Sequence, residues 1–245
     1  MQQTGELRLG DHVLIVTDLA TAPQPVFLLV HGIGMGREAY SEFVEELGGR
    51  GRVLAVDLPG FGDSPTPDRS LPITGMADLV AELLQHRGTG PVVAVGHSMG
   101  TQVVAELAVR HPDLVSHLVL IGPTVNAGER TAGRQVFRFL QDMLGEHPRV
   151  IGRGMWLYAK TGPAWFVRKF RTMMDHRIED ILPDVAVPTL VMRGAHDRVC
   201  PEPWVRSVTD AVPGARMVQI PGKTHETMIR SAEPVAEVVA RFARS

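Results

Sequence analysis

The chain has 245 residues, enough for one α/β domain with an insertion and for a core that needs no covalent staples. Lysine and arginine total 25 against 27 aspartates and glutamates, and a net charge of −2 argues against a nucleic-acid or polybasic membrane surface. The single cysteine, Cys200, excludes an internal disulfide, and no apolar run approaches the roughly 20 residues that a membrane helix needs.

In chain order, the polar start MQQTGELRLGDH lacks the apolar stretch of a secretion signal, which together with the lone cysteine predicts a cytoplasmic protein. HVLIVTDL (12–19) partly alternates, as an edge or antiparallel strand does. PVFLLVHG, RVLAVDLPG, PVVAVGHS, HLVLIGP and PTLVMRG are continuous apolar runs, the signature of parallel strands buried on both faces. RMVQIPG is shorter and more polar, and fits a strand nearer the sheet edge. Between these runs lie amphipathic helical patterns at 37–47, 75–86 and 99–110, and a final one in which Val235, Val238, Val239 and Phe242 share a face. Strands alternating with helices predict a mostly parallel sheet covered on both sides.

Residues 124–184 break the alternation. They carry helical stripes (Val136/Leu140/Met143 and Phe166/Phe170/Met173/Met174) and no strand signal, so they are expected to form an all-helical insertion dividing a core of 1–123 and 185–245. Aromatic residues concentrate there, and Phe137, Trp156, Trp165 and Phe166 are candidates for the wall of an apolar pocket. The segment is also basic: Arg130, Arg134, Arg138, Arg149, Arg153, Lys160, Arg168, Lys169, Arg171 and Arg177 outnumber Asp142, Glu146 and Asp175. A solvated outer helix face explains this more simply than attraction of an anionic substrate or carrier, though both readings stand.

Ligands of open parallel sheets bind beyond the C-terminal ends of the strands. The runs here end in His31-Gly32-Ile33-Gly34-Met35-Gly36, Asp57-Leu58-Pro59-Gly60, Gly96-His97-Ser98-Met99-Gly100, Gly194-Ala195-His196-Asp197 and Pro221-Gly222-Lys223-Thr224-His225. A serine, an aspartate and a histidine thus follow three strands of one predicted sheet, in that order. His31 and His97 sit inside glycine motifs, and His12, His86, His111, His117, His147 and His176 are scattered, so an ordinary structural or surface role is expected for each. No pair has metal-ligand spacing, so neither a metal nor any other cofactor is expected.

With GHSMG after one strand, HGIGMG after another and the order Ser, Asp, His, the chain resembles the α/β-hydrolase family over nearly its whole length. The resemblance implies a mostly parallel central sheet flanked by helices, with a helical cap inserted after the sixth strand. It implies Ser98 as nucleophile, Asp197 as acid (rather than Asp57 or Glu202) and His225 as base (rather than His196). The backbone N–H groups of Met99 and Ile33, with Gly34 as the alternative to Ile33, would form the oxyanion hole. DLPGFGDS resembles another loop of the family, in which Asp57 is structural.

A serine at position 98 separates the chain from the dehalogenases and epoxide hydrolases of this fold, which carry aspartate there. Relatives that cleave carbon–carbon bonds in ring-fission products often have asparagine before the serine and tryptophan after the histidine, where this chain has His97 and Glu226. The expectation is therefore a carboxylic-ester hydrolase acting on a small or medium acyl substrate, with lactones and thioesters within reach. The alternatives are carbon–carbon cleavage and a receptor of the same fold that holds a small molecule without turnover.

Overall fold

The apolar runs become the inner strands of one eight-stranded sheet. The computed structural model describes residues 2–145 and 148–245; Glu146 and His147, and the side chains of Arg149 and Arg153, lie outside the described residues. Strands β1 (Gln2–Leu9) and β2 (His12–Leu19) form an antiparallel hairpin. β2 also pairs antiparallel with β4 (Arg52–Asp57). The remaining strands, β3 (Val26–Val30), β5 (Val92–His97), β6 (Val115–Ile121), β7 (Thr189–Gly194) and β8 (Arg216–Ile220), run parallel, in the order β1-β2-β4-β3-β5-β6-β7-β8. Every residue of β3, β5 and β7 is buried, which is why their sequences do not alternate.

Helix α1 (Ser41–Gly48) covers one face of the sheet, while α2 (Ile73–Arg87) and α3 (Met99–Arg110) cover the other. After β6 come four consecutive helices: α4 (Ala132–Met143), α5 (Pro148–Thr161), α6 (Pro163–Asp175) and the single turn α7 (Ile178–Ile181). These make the cap. The chain then returns through β7, and α8 (Glu202–Ala211) joins the face of α2 and α3. The short α9 (Thr227–Arg230) leads into α10 (Ala232–Phe242), which packs beside α1.

Two sequence expectations change. Residues 2–9, read as a polar lead-in, form a strand, so β2, expected as an edge or antiparallel strand, is an inner antiparallel one. Along β1 only Leu7 is buried, so the strand leaves no apolar alternation to read. In α4, Val136 and Leu140 are 49% and 54% exposed, with Val136 bordering the cavity beneath the cap, while Gln135 and Asp142 are buried. The inward face is tolerable because both polar side chains are bonded: the Gln135 amide donates to the Glu129 carbonyl at 3.0 Å, and Asp142 accepts two backbone N–H groups.

Asp57, at the end of β4, organises the loops beneath the site. It is fully buried, accepts the N–H groups of Arg37 at 2.6 Å and Asp63 at 2.9 Å, and pairs with the Arg37 guanidinium. Arg37 also reaches Asp63 at 2.8 Å and Thr17 at 3.0 Å. Removing one member of such a pair strands a buried charge. Asp57→Ala is expected to cost about 3–5 kcal/mol in urea unfolding; a loss under about 1 kcal/mol, typical of an exposed pair, would show that Asp57 is not a structural centre.

Candidate active site

Ser98 stands between the last residue of β5 and the first of α3, with φ 51° and ψ −121°. It is the only non-glycine residue at positive φ among the described residues. Such a conformation costs about 1–3 kcal/mol, so the surroundings must impose it. They do so by close packing of backbone on backbone. A Cβ on Gly100 would lie 2.2 Å from the Val30 carbonyl oxygen, and one on Gly96 would lie 2.4 Å from that of Gly100. The glycines let α3 start directly against the ends of β3 and β5, and the turn between them has only the tight form.

The loops that carry Asp197 and His225 meet on the other side. His225 Nδ1 lies 2.9 Å from Asp197 Oδ2, and both residues are buried. Asp197 Oδ1 accepts the Cys200 N–H at 2.8 Å, and the Arg193 guanidinium donates to the carbonyls of Asp197 at 2.9 Å and Cys200 at 3.0 Å. Burial opposes a charged His225, but the Asp197 charge and hydrogen bond outweigh it and hold the imidazole well above the usual 6.5. The Cys200 thiol donates to the Pro123 carbonyl, and burial pushes its pKa up to about 12, so it is a small filler and no reactive thiolate. Asp197, Cys200 and His225 come within 4.8 Å of one another, but each is already committed to these partners, which leaves a cation no free donor set.

Both neighbouring histidines are bonded to buried partners. His31 Nε2 accepts the Leu58 N–H at 3.0 Å, so its Nδ1 carries the proton, and burial lowers its pKa. His97 lies in a relay of buried groups. The Gly32 N–H donates to the Tyr40 hydroxyl at 3.2 Å, Tyr40 is 2.9 Å from His97 Nδ1, and His97 Nε2 is 3.2 Å from the His225 carbonyl. Since a carbonyl only accepts, Nε2 holds the proton and Nδ1 receives that of Tyr40. Burial, then the His225 charge, keep His97 far below 6.5 and neutral. His196 is exposed, and Glu202 is engaged with Arg206 on the surface.

Ser98 and His225 both line a cavity of about 510 Å³ between the strand ends and the cap. Ile33 forms part of its floor, and the N–H groups of Ile33 and Met99 donate to no acceptor among the described residues. The roof is a run of touching rings, Phe139 edge-on to Tyr158, Tyr158 edge-on to Phe166, and Phe166 stacked on Phe170. Of the four aromatics singled out in the sequence, Phe166 alone lines this cavity. Phe137 and Trp156 are more than half exposed on the outside of the cap. Trp165 is buried beneath it, its ring 5.1 Å from the Lys169 ammonium. Phe139 and Tyr158, which face the cavity, each lie two residues from a ring chosen in the sequence, the error expected when a helix is placed without its rotation.

Most cap cations have partners. Arg130 pairs with Glu179, Arg134 and Arg138 with Glu129, Arg177 with Asp180, and Lys160 with Asp63 of the core. Lys169 is buried, donates to the Leu71 carbonyl at 2.9 Å, and is drawn down to about 8 by burial. Of those with described side chains, only Arg168, Lys169 and Arg171 are outside an ion pair, and the pairing of the rest favours the solvated-face reading of the basic segment.

The sequence from residue 27 to residue 241 matches the alpha/beta hydrolase family. The chain belongs to that family. Among its curated relatives is the pimeloyl-[acyl-carrier protein] methyl ester esterase of Aeromonas hydrophila, 28% identical over 247 residues and covering 89% of this chain and 95% of that protein. Another is the magnesium-chelatase 30 kDa subunit of Rhodobacter capsulatus, 26% identical, covering 88% of this chain and 86% of that one. A thermophilic esterase from Thermogutta terrifontis superposes with a TM-score of 0.82 at 26% identity, over 99% of this chain and 98% of the other. This hydrolase-family chain carries a helical insert after β6 over a mostly parallel sheet, and no described helix is long and apolar enough to cross a membrane.

The two buried imidazoles should titrate oppositely. By NMR, His225 is expected to protonate with a midpoint above 6.5, and His97 to stay neutral through that range. Asp197→Asn removes the charge that favours imidazolium, leaving burial to dominate, so the His225 midpoint should fall. An unmoved midpoint would refute the assigned cause.

Proposed function

We propose that this chain is a serine hydrolase that cleaves carboxylic esters of small to medium, largely apolar acyl groups through an acyl-enzyme on Ser98. The observation that carries the reading is the positive-φ serine at the start of α3, opening on the same apolar cavity as an imidazole paired with a buried carboxylate. An ordinary strand-to-helix turn has no reason to hold a serine in that conformation.

In this reading His225 Nε2 takes the proton of Ser98 Oγ as the oxygen attacks the ester carbonyl. Asp197 holds the proton on Nδ1 and stabilises the imidazolium. The N–H groups of Ile33 and Met99, the latter at the positive end of α3, receive the negative oxygen of the tetrahedral intermediate. The imidazolium returns its proton to the leaving alcohol, leaving the acyl group on Ser98. A water deprotonated by His225 then releases the acid. The relative from Aeromonas hydrophila is a methyl ester esterase by name, which agrees in bond type. The walls of Phe139, Phe166 and Phe170 fit an acyl chain or ring better than a charged group.

Ser98→Ala and His225→Ala are each expected to lower kcat/KM for p-nitrophenyl esters by about 10⁴-fold or more, with loss of fluorophosphonate labelling. Turnover that survives Ser98→Ala would sink the mechanism. Ring-fission dienoates run beside esters of graded chain length decide between bond types. A preference for the dienoates would replace the ester by a carbon–carbon bond. One bound equivalent without turnover would indicate a receptor.

A further inference from the structure

His225 is held by its backbone as well as by its ring. Its N–H donates to Asp142 Oδ2 at 3.0 Å, while its carbonyl accepts from His97. The other oxygen of Asp142 accepts the N–H of Arg198, the residue after Asp197, at 2.9 Å. Asp142 belongs to α4, so one carboxylate of the cap binds both the loop that carries Asp197 and the loop that carries His225.

Asp142 is an unfavourable residue for its place. It lies in the last turn of α4, where the helix dipole disfavours a negative charge, and it is 3% exposed. Burial, with the Asp197 charge adding to it, raises its pKa, and among the described residues the His225 charge offsets this. A buried carboxylate without a Lys or Arg partner costs several kcal/mol unless its oxygens are fully engaged. Two charge-assisted N–H bonds supply that engagement. Anchoring the end of a helix does not require these two donors in particular. They belong to the loops whose relative placement sets the 2.9 Å contact between Asp197 and His225.

We propose that Asp142 is a positioning residue through which the seated cap aligns the Asp197–His225 pair for the reaction at Ser98. The inference rests on the serine-hydrolase reading given above. The cap then has a role besides enclosing the acyl group: lifting α4 from the sheet removes the acceptor that both loops share, and the pair loosens.

The test uses Asp142→Asn and Asp142→Ala in the full chain, with p-nitrophenyl acetate, whose acyl group is too short to depend on the aromatic roof, and a longer p-nitrophenyl ester. The kcat for both esters should fall by about 10- to 100-fold, more for alanine than for asparagine, which keeps one acceptor. KM should move little. The low-field Nδ1 proton of His225 should shift or broaden by exchange in both variants. If Asp142 merely anchors the cap, acetate turnover and the imidazole proton stay as in the parent while KM for the longer ester rises, and the proposal is overturned. Should the alanine variant fail to fold, asparagine, which conserves volume, carries the comparison. If the parent protein neither turns over esters nor takes up a fluorophosphonate, the serine-hydrolase reading fails, while the imidazole proton still reports whether Asp142 positions His225.

Discussion

The architecture of the site depends on one close approach of backbones, the first turn of α3 against the end of β3. With no side chain at position 100, the helix begins so near β3 that a Cβ there would lie 2.2 Å from the Val30 carbonyl oxygen. That proximity forces the turn at Ser98 into its strained form and raises the hydroxyl to the level at which the loops after β3, β7 and β8 converge. The strain is local and the burial that offsets it is extensive, since the inner strands and the inner face of α3 are sealed from solvent.

Most polar groups around the cavity are buried and bonded in two networks. One chain of hydrogen bonds runs from the Gly32 N–H through Tyr40 and His97 to the His225 carbonyl, and so joins the loop after β3 to the loop after β8. A second joins His225, Asp197, Cys200 and Arg193. Asp142 closes the pattern from the cap. In a poorly solvated region such bonds are stronger and an orphaned group is costlier, so each network holds a single arrangement. The proposed chemistry uses a few atoms, and the surrounding groups fix where those atoms are.

The sheet was legible in the sequence because parallel strands buried on both faces leave unbroken apolar runs. β1 was not, since it pairs along the outer edge and buries little but Leu7. Strand ends are similarly readable: Ser98, Asp197 and His225 follow the runs where a ligand must sit, and the structure brings Asp197 into contact with His225 and opens Ser98 and His225 on one cavity. The cap was readable only as helical. Its apolar stripe on α4 was read only in part: Val136 borders the cavity and Leu140 is exposed, while Gln135 and Asp142 turn inward to serve backbone groups that no periodicity reveals. Phe137, Trp156 and Trp165 were misplaced for a related reason, since a helix outside the sheet takes its rotation from contacts distant in sequence. The role of His97 as a neutral link to His225 likewise depends on Tyr40, 57 residues away.

Mass spectrometry of the protein quenched during turnover of a slowly deacylating ester tests the central claim most directly. The account requires a mass increase of one acyl group, confined to the peptide containing Ser98, that forms in the parent and vanishes when excess time is allowed for hydrolysis. Steady release of acid with no adduct, or an adduct on another residue, would contradict it.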